Sequence, residues 1–325
     1  MPIVALWMAL FATTAWAKEP ARLAILLTPH PAYHSPLAAI EVSLKKQGVA
    51  YTIVELPKIN KETQNEKPRR ISTQQTASAD ILRQLTAKQP SLLVTIGTSA
   101  TAFAVENVPD IPIVFCLVPN AQDMAFMVHD STQRARSTGV TSDISPGDQV
   151  KWLKDIDPKA RNIGLLHSSR SQLTAEMLVS AGKKHGIQIK PIVATRKDFP
   201  QAIDALNLAG CDGVLMIPDA NVYNSTNVQR LLLWGLRKKK PVWTFSANIV
   251  KAGAIAGSYS SPHAIGRQTA EIIERFISGE RIAKIGLQYP KHVEKAVNYR
   301  TAEMIGLTFS QRVIQTATKQ YEKDG

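Results

Sequence analysis

Two adjacent hydroxyls, Thr98 and Ser99, follow the apolar run Leu92–Ile96 and a single glycine, Gly97, within SLLVTIGTSATAFA (Ser91–Ala104). The run has no helical spacing and reads as a strand buried on both faces. Gly97 lets the backbone turn sharply. Thr98 and Ser99 are good cap residues, and Ala100–Val105 continues as a helix. Such a helix start aims unpaired N–H groups and two hydroxyls at one spot, which suits a carboxylate or a phosphate. The same residues also serve as an ordinary helix cap, since any strand–turn–helix unit needs one.

Asp219 stands in a matching place further along, after the apolar run Val214–Ile217 and within Pro218-Asp219-Ala220-Asn221. A carboxylate there would pair with a ligand ammonium, or it would cap the short segment after Pro218. With Thr98 and Ser99 on one side and Asp219 on the other, the two ends of an α-amino acid would be held by different parts of the chain. In open parallel sheets ligands bind beyond the carboxyl ends of the strands. That rule also collects Tyr33, His34, Ser35, Ser168, Asn221, Tyr223 and Ser246, with the segments 118–120, 142–143 and 259–261.

Several chemistries find no pattern. There are no paired carboxylates at a fixed spacing, no Cys/His metal spacing, no phosphate-binding P-loop, no glycine-rich dinucleotide fingerprint and no G-x-S-x-G elbow. His30 and His34 lie four apart, but Pro29, Pro31 and Pro36 argue against a helix that would aim both at one metal. The expectation is no catalytic residue, no metal site and no cofactor.

The elements that must position these residues alternate strand and helix twice. Arg22–Leu27, Val49–Glu55, Leu92–Ile96 and Pro112–Val118 read as strands, with helices from Ser35 or Pro36 to Gln47 and from Ser72 to Lys88. The stretch 57–71 is polar and reads as a loop. A second unit repeats the alternation, with strands at Asn162–His167, Ile187–Ala194, Val214–Ile217 and Pro241–Phe245. The break near Ser137–Asp143 points to two similar lobes. We expect a first lobe of residues 18–138 plus 262–325, the last part crossing back to complete it, and a second lobe of 139–261.

The 325 residues, 44% of them hydrophobic, suffice for two α/β domains. The net charge of +13 is scattered in short runs such as Arg69-Arg70 and Arg237–Lys240. With no helix–turn–helix, zinc-finger or aromatic RNA-binding signature, no nucleic-acid partner is expected. Cys116 and Cys211 fall in apolar runs of different lobes and read as buried, unpaired thiols. Residues 2–14 are apolar and uncharged, and Ala15-Trp16-Ala17 gives a small-x-small cleavage pattern. Residues 1–17 therefore read as a signal peptide, cleaved after Ala17, which places the mature protein in the periplasm.

The runs LVTIGTSATAFA (Leu93–Ala104) and IPIVFCLV (Ile111–Val118), the junction TGVTSD (Thr138–Asp143), GRQTA (Gly266–Ala270) and VNYRTAEMIGL (Val297–Leu307) resemble the ABC-transporter substrate-binding family. The resemblance implies the type I periplasmic-binding fold: two Rossmann-like lobes with parallel sheets, joined by three crossovers, and a ligand in the cleft. It is similar to aromatic amino-acid binders, in which hydroxyls after the IGT turn take the carboxylate; here those are Thr98 and Ser99. The second-lobe motif of the family reads proline, small residue, Asp, Asn, so the acidic residue of Pro218-Asp219-Ala220-Asn221 is displaced by one place. The expected function is an exported, monomeric solute-binding protein, not an enzyme, that closes on an amino-acid-like or small anionic molecule. Its partner would be an inner-membrane ABC permease; a membrane kinase or receptor served by a sensor of the same fold is the alternative, and an α/β enzyme the third reading.

Overall fold

The computed structural model describes residues 21–57, 78–87, 89–124, 127 and 136–322. The leader at 1–17 and nearly all of the polar stretch 57–71 lie outside these residues.

Five strands, joined later by a short edge strand, build the first sheet among the described residues: β1 (Arg22–Leu27), β2 (Ala50–Glu55), β3 (Leu92–Ile96), β4 (Ile113–Val118) and β5 (Ser137–Thr141). They are parallel, in the order β2-β1-β3-β4-β5. β3 and β5 are buried at every position, as befits strands covered by helices on both faces. The second sheet repeats that order with β6 (Asn162–His167), β7 (Gln188–Val193), β8 (Gly213–Leu215), β9 (Val242–Thr244) and β10 (Ala256–Tyr259), arranged β7-β6-β8-β9-β10. The long helices are α1 (Pro31–Lys46), α2 (Thr98–Asn107), α3 (Pro146–Ile156), α4 (Gln172–Lys184), α5 (Phe199–Leu208), α6 (Ser225–Lys238) and α7 (Pro262–Ile277).

The chain crosses between the sheets three times, at residues 142–145, at 260–261 and at 289–293, just after the short edge strand β11 (Leu287–Gln288) of the first sheet. Two lobes with three crossings match the expected architecture. The lobe boundaries differ from expectation. Residues 139–141 belong to β5, where Gly139 pairs with Phe115 in the first sheet. The tail does not all return to the first lobe. Strand β12 (Glu294–Asn298) runs antiparallel to β10, and β13 (Lys319–Tyr321) pairs with β12, both in the second sheet. The reason is burial: Val297, Ala302, Phe309 and Val313 complete the second-lobe core around Trp152, Ile163 and Ile255.

Helix α7 does return. Its Ile265, Ile272 and Ile273 join the first-lobe core with Leu23 and Ile40. It lies close enough to α1 that a Cβ on Gly266 would sit 2.5 Å from the Pro36 carbonyl oxygen. Helix α1 begins at Pro31, earlier than the prolines foretell. Pro31 stands in the first turn, where no N–H is needed, and His30 Nδ1 caps the end by accepting the Ala32 N–H at 3.2 Å. Pro36 is tolerated inside. Tyr33 and His34 thus stand in the first turn of a helix and Ser35 directly after it, not in a loop.

A candidate ligand cleft at two switch points

In both sheets the strand order reverses direction beside the first strand: between β1 and β3 in one lobe, between β6 and β8 in the other. Helices leave opposite faces there and open a crevice at the carboxyl ends. Each switch point holds a polar cluster.

In the first lobe Tyr33, after β1, meets the turn after β3. A Cβ on Gly97 would lie 2.3 Å from the Tyr33 hydroxyl, so the phenol packs directly on that glycine. Gly97 holds φ +86°, a conformation side chains disfavour. It is also the N-cap of α2, which starts at Thr98, one residue earlier than a Thr98 cap requires and two earlier than a Ser99 cap requires. Among the described residues no side chain caps the start of α2. Thr98 is half-buried and Ser99 exposed, and the first-turn N–H groups have no partner within the helix. Burial lifts the Tyr33 hydroxyl above its ordinary pKa, against an opposing contact from Thr28. His34 and Ser35 are exposed in the same helical turn.

In the second lobe Asp219, after β8, meets Ser168–Ser171, after β6. Asp219 Oδ2 accepts the Ser168 N–H at 2.8 Å and the Ser171 hydroxyl at 2.5 Å, and Oδ1 accepts the Asn221 N–H at 2.9 Å. Burial alone would raise its pKa; these hydrogen bonds outweigh that and hold it below the usual carboxylate range. The carboxylate therefore fastens two strand-end loops together, with little acceptor capacity left. The Asn221 Nδ2 donates to Ser168 Oγ at 3.5 Å, and Asn221 itself is exposed. Tyr223 is a core residue: it packs edge-on against Phe199, ring centres 6.1 Å apart, and its hydroxyl donates to the Leu166 carbonyl. Burial drives its pKa up. Ser246 lies apart from both clusters and lines a cavity of about 440 Å³ with Asn248, Tyr259, Ser261 and Lys319.

The loop after β4 joins the two lobes; the strand-end rule reached 118–120 but gave Asn120, Gln122 and Asp123 no role. Asn120 adopts φ 48°, ψ 43°, a left-handed conformation that asparagine tolerates. Its Nδ2 donates to the Pro218 carbonyl at 2.5 Å, and its Oδ1 lies 3.1 Å from the Thr174 hydroxyl, whose one proton it shares with Asp123. Gln122 Nε2 donates to the same hydroxyl at 2.6 Å. Asp123 accepts the Leu173 and Thr174 N–H groups at the start of α4. The strand-end rule reaches 118–120, but nothing local in the sequence pairs these residues with Thr174 or Pro218.

Among the described residues no helix is long and apolar enough to cross a membrane, and no group of three His, Cys, Asp or Glu could hold a metal.

Two sheets of one strand order, three crossings and polar clusters at facing switch points define a type I periplasmic-binding fold. The chain belongs to the ABC transporter substrate-binding protein family, whose model matches residues 30–321. Proteins of this family take up a small molecule outside the cytoplasm and serve a membrane ABC permease. The chain is 21% identical over 248 residues, 75% of its own length and 69% of the relative's, to the tyrosine-binding protein of Clostridioides difficile (strain R20291). It shares its fold with the ABC domain in complex with L-Trp from Streptococcus pneumonia (TM-score 0.63, 18% identity, 92% of this chain and 99% of that one). The same holds for the ligand-free, open structure of a substrate-binding protein with adhesive properties from Clostridium difficile (TM-score 0.66, 18% identity, 93% and 100%).

Proposed function

We propose that this chain is an exported, monomeric binding protein that captures an amino-acid-like ligand and presents it to an ABC permease without chemical turnover. The carboxylate docks at Thr98 and Ser99. The observation that carries this reading is the uncapped start of α2, with Tyr33 packed on Gly97 beside it at the first switch point. Two hydroxyls, a phenol and free N–H groups there complement a carboxylate. The second lobe closes with Ser168 and Asn221, held in place by Asp219. The names of two relatives, one tyrosine-binding and one solved with L-Trp, support an aromatic amino acid as the first candidate. Cleavage after Ala17 releases the mature chain from its leader.

Calorimetric titration of the mature protein with L-tyrosine, L-tryptophan and aliphatic amino acids tests this directly. Saturable one-to-one binding of at least one amino acid is expected. Its absence across the panel would rule the reading out. Mass spectrometry of the exported protein should find Lys18 as the first residue.

A further inference from the structure

Asp143 lies on the first crossing, two residues past β5, and is only 4% exposed. Its Oδ2 accepts the Asn120 N–H at 2.6 Å and the Thr141 hydroxyl at 2.5 Å. Its Oδ1 is buried and has no hydrogen-bond partner among the described residues. Gln122, on the other side of Asn120, repeats the pattern: its Nε2 is bonded to Thr174, while its Oε1 is buried without a partner. The side chains whose charge bears on Asp143 are acidic or phenolic. Asp123 repels it, and Asp143 in turn acts on the Tyr289 hydroxyl. Among the described residues no lysine, arginine or histidine forms an ion pair with it.

A buried carboxylate with one idle oxygen and no counter-charge is costly. A donor completes it, and a compact cation with several N–H groups supplies both the hydrogen bond and the counter-charge. The charged acceptor, with a second unsatisfied acceptor two residues along the chain from Asn120, fits an ammonium. The position fits as well. β5 is two strands from β3 in the sheet, roughly 10 Å at the backbone. The carboxylate and ammonium of an α-amino acid, with a hydrogen bond at each end, bridge a gap of about 8 Å. Asn120, bonded to Asp143 through its backbone, touches Pro218 of the second lobe through its side chain. Opening the lobes would uncover this corner, and closing would seal it.

We propose that Asp143 Oδ1, assisted by Gln122 Oε1, binds the ammonium group of the ligand whose carboxylate docks at Thr98 and Ser99. This rests on the reading of the site as an amino-acid cleft. The first lobe then holds both charged ends, and Asp219, its oxygens already engaged, positions the second lobe.

The test compares L-tyrosine with 3-(4-hydroxyphenyl)propionate, the same molecule without its amino group, by calorimetry on the mature protein. Wild type should prefer L-tyrosine by roughly ten- to a hundredfold. Asp143→Asn should lose that preference while binding the desamino acid at least as well as wild type. Retention of the full preference by Asp143→Asn, or an equal loss of both probes, would overturn the assignment. Equal binding of both probes by wild type would overturn it too and leave the carboxylate reading standing. Binding of neither probe would overturn the assignment, and the amino-acid reading falls only if the rest of the panel fails as well. Should Asp143→Asn fail to fold, Gln122→Met takes its place: a several-fold drop in preference is expected, and an unchanged preference refutes the shared site.

Discussion

Asp123 of the first lobe holds Thr174 of the second twice, through its N–H at 3.0 Å and its hydroxyl at 2.6 Å. With the Leu173 N–H at 2.6 Å, the carboxylate caps helix α4 from across the lobe boundary. Ser171, the residue at the cap position of that helix, makes no cap hydrogen bond. A negative charge at a helix start gains from the helix dipole as well. The lobes therefore meet through a cap that exists only when they are together.

Asp123→Asn or Thr174→Val should weaken this closure without unfolding either lobe. Small-angle scattering of the ligand-free variants should give a larger radius of gyration than wild type. Ligand dissociation, followed by stopped-flow fluorescence, should speed up roughly tenfold. Unchanged scattering together with unchanged dissociation would show that the cap does not govern closure.

Ser99→Ala and Thr98→Val should each weaken carboxylate binding by about tenfold, the worth of one charge-assisted hydrogen bond. Neither residue caps α2 through its side chain, so melting temperature should hardly move. Amidating the ligand carboxylate should cost wild type a similar factor and cost the variants much less. Equal affinity in wild type and both variants would make Gly97–Ser99 a plain helix start.

Asp143 carries a pH signature. Burial pushes its pKa from 3.8 up to about 6. The folded protein thus binds a proton more tightly than the unfolded chain between those values, so stability falls as pH rises through them. The ionised residue costs on the order of 3 kcal/mol at neutral pH. Asp143→Asn should therefore melt higher than wild type at pH 7.5 without ligand, and the gap should close toward pH 4. Calorimetric melting across that range decides it; a variant less stable at pH 7.5 would contradict the buried-charge account.

Cys116 and Cys211 are both free and fully buried, in the cores of different lobes. Burial pushes the Cys116 thiol up to about 12 and raises that of Cys211. Neither should react with a thiol reagent at pH 8 in the native protein. Both should react after denaturation without reductant, giving two thiols per chain.

The alternation of strand and helix was readable because buried parallel strands leave unbroken apolar runs such as LLVTI and IVFCLV. The strand end and helix start around Thr98 and Ser99 were readable for the same reason, since the apolar run stops at Gly97. The start of α1 was not, because prolines read as breakers although the first turn accepts them. The place of β12 was hidden because its antiparallel partner, β10, is chosen by which core lacks a layer, not by any local pattern. Asn120 and Asp143 fell within the strand-end segments but without a role. Their meaning comes from contacts such as Asn120 with Pro218, 98 residues apart. Tyr223 misled in the opposite direction: a polar residue near a strand end turned inward against Phe199.

The three crossings have a consequence for how the molecule is made. Neither lobe is a continuous piece of the gene. The first sheet lacks its edge strand until Leu287–Gln288 have been translated, and its covering helix until Ile277. The second sheet waits for Lys319–Tyr321. A nascent chain leaving the ribosome therefore carries an unfinished first core until Gln288 and an unfinished second core until Tyr321. No single cut in the coding sequence separates the two lobes.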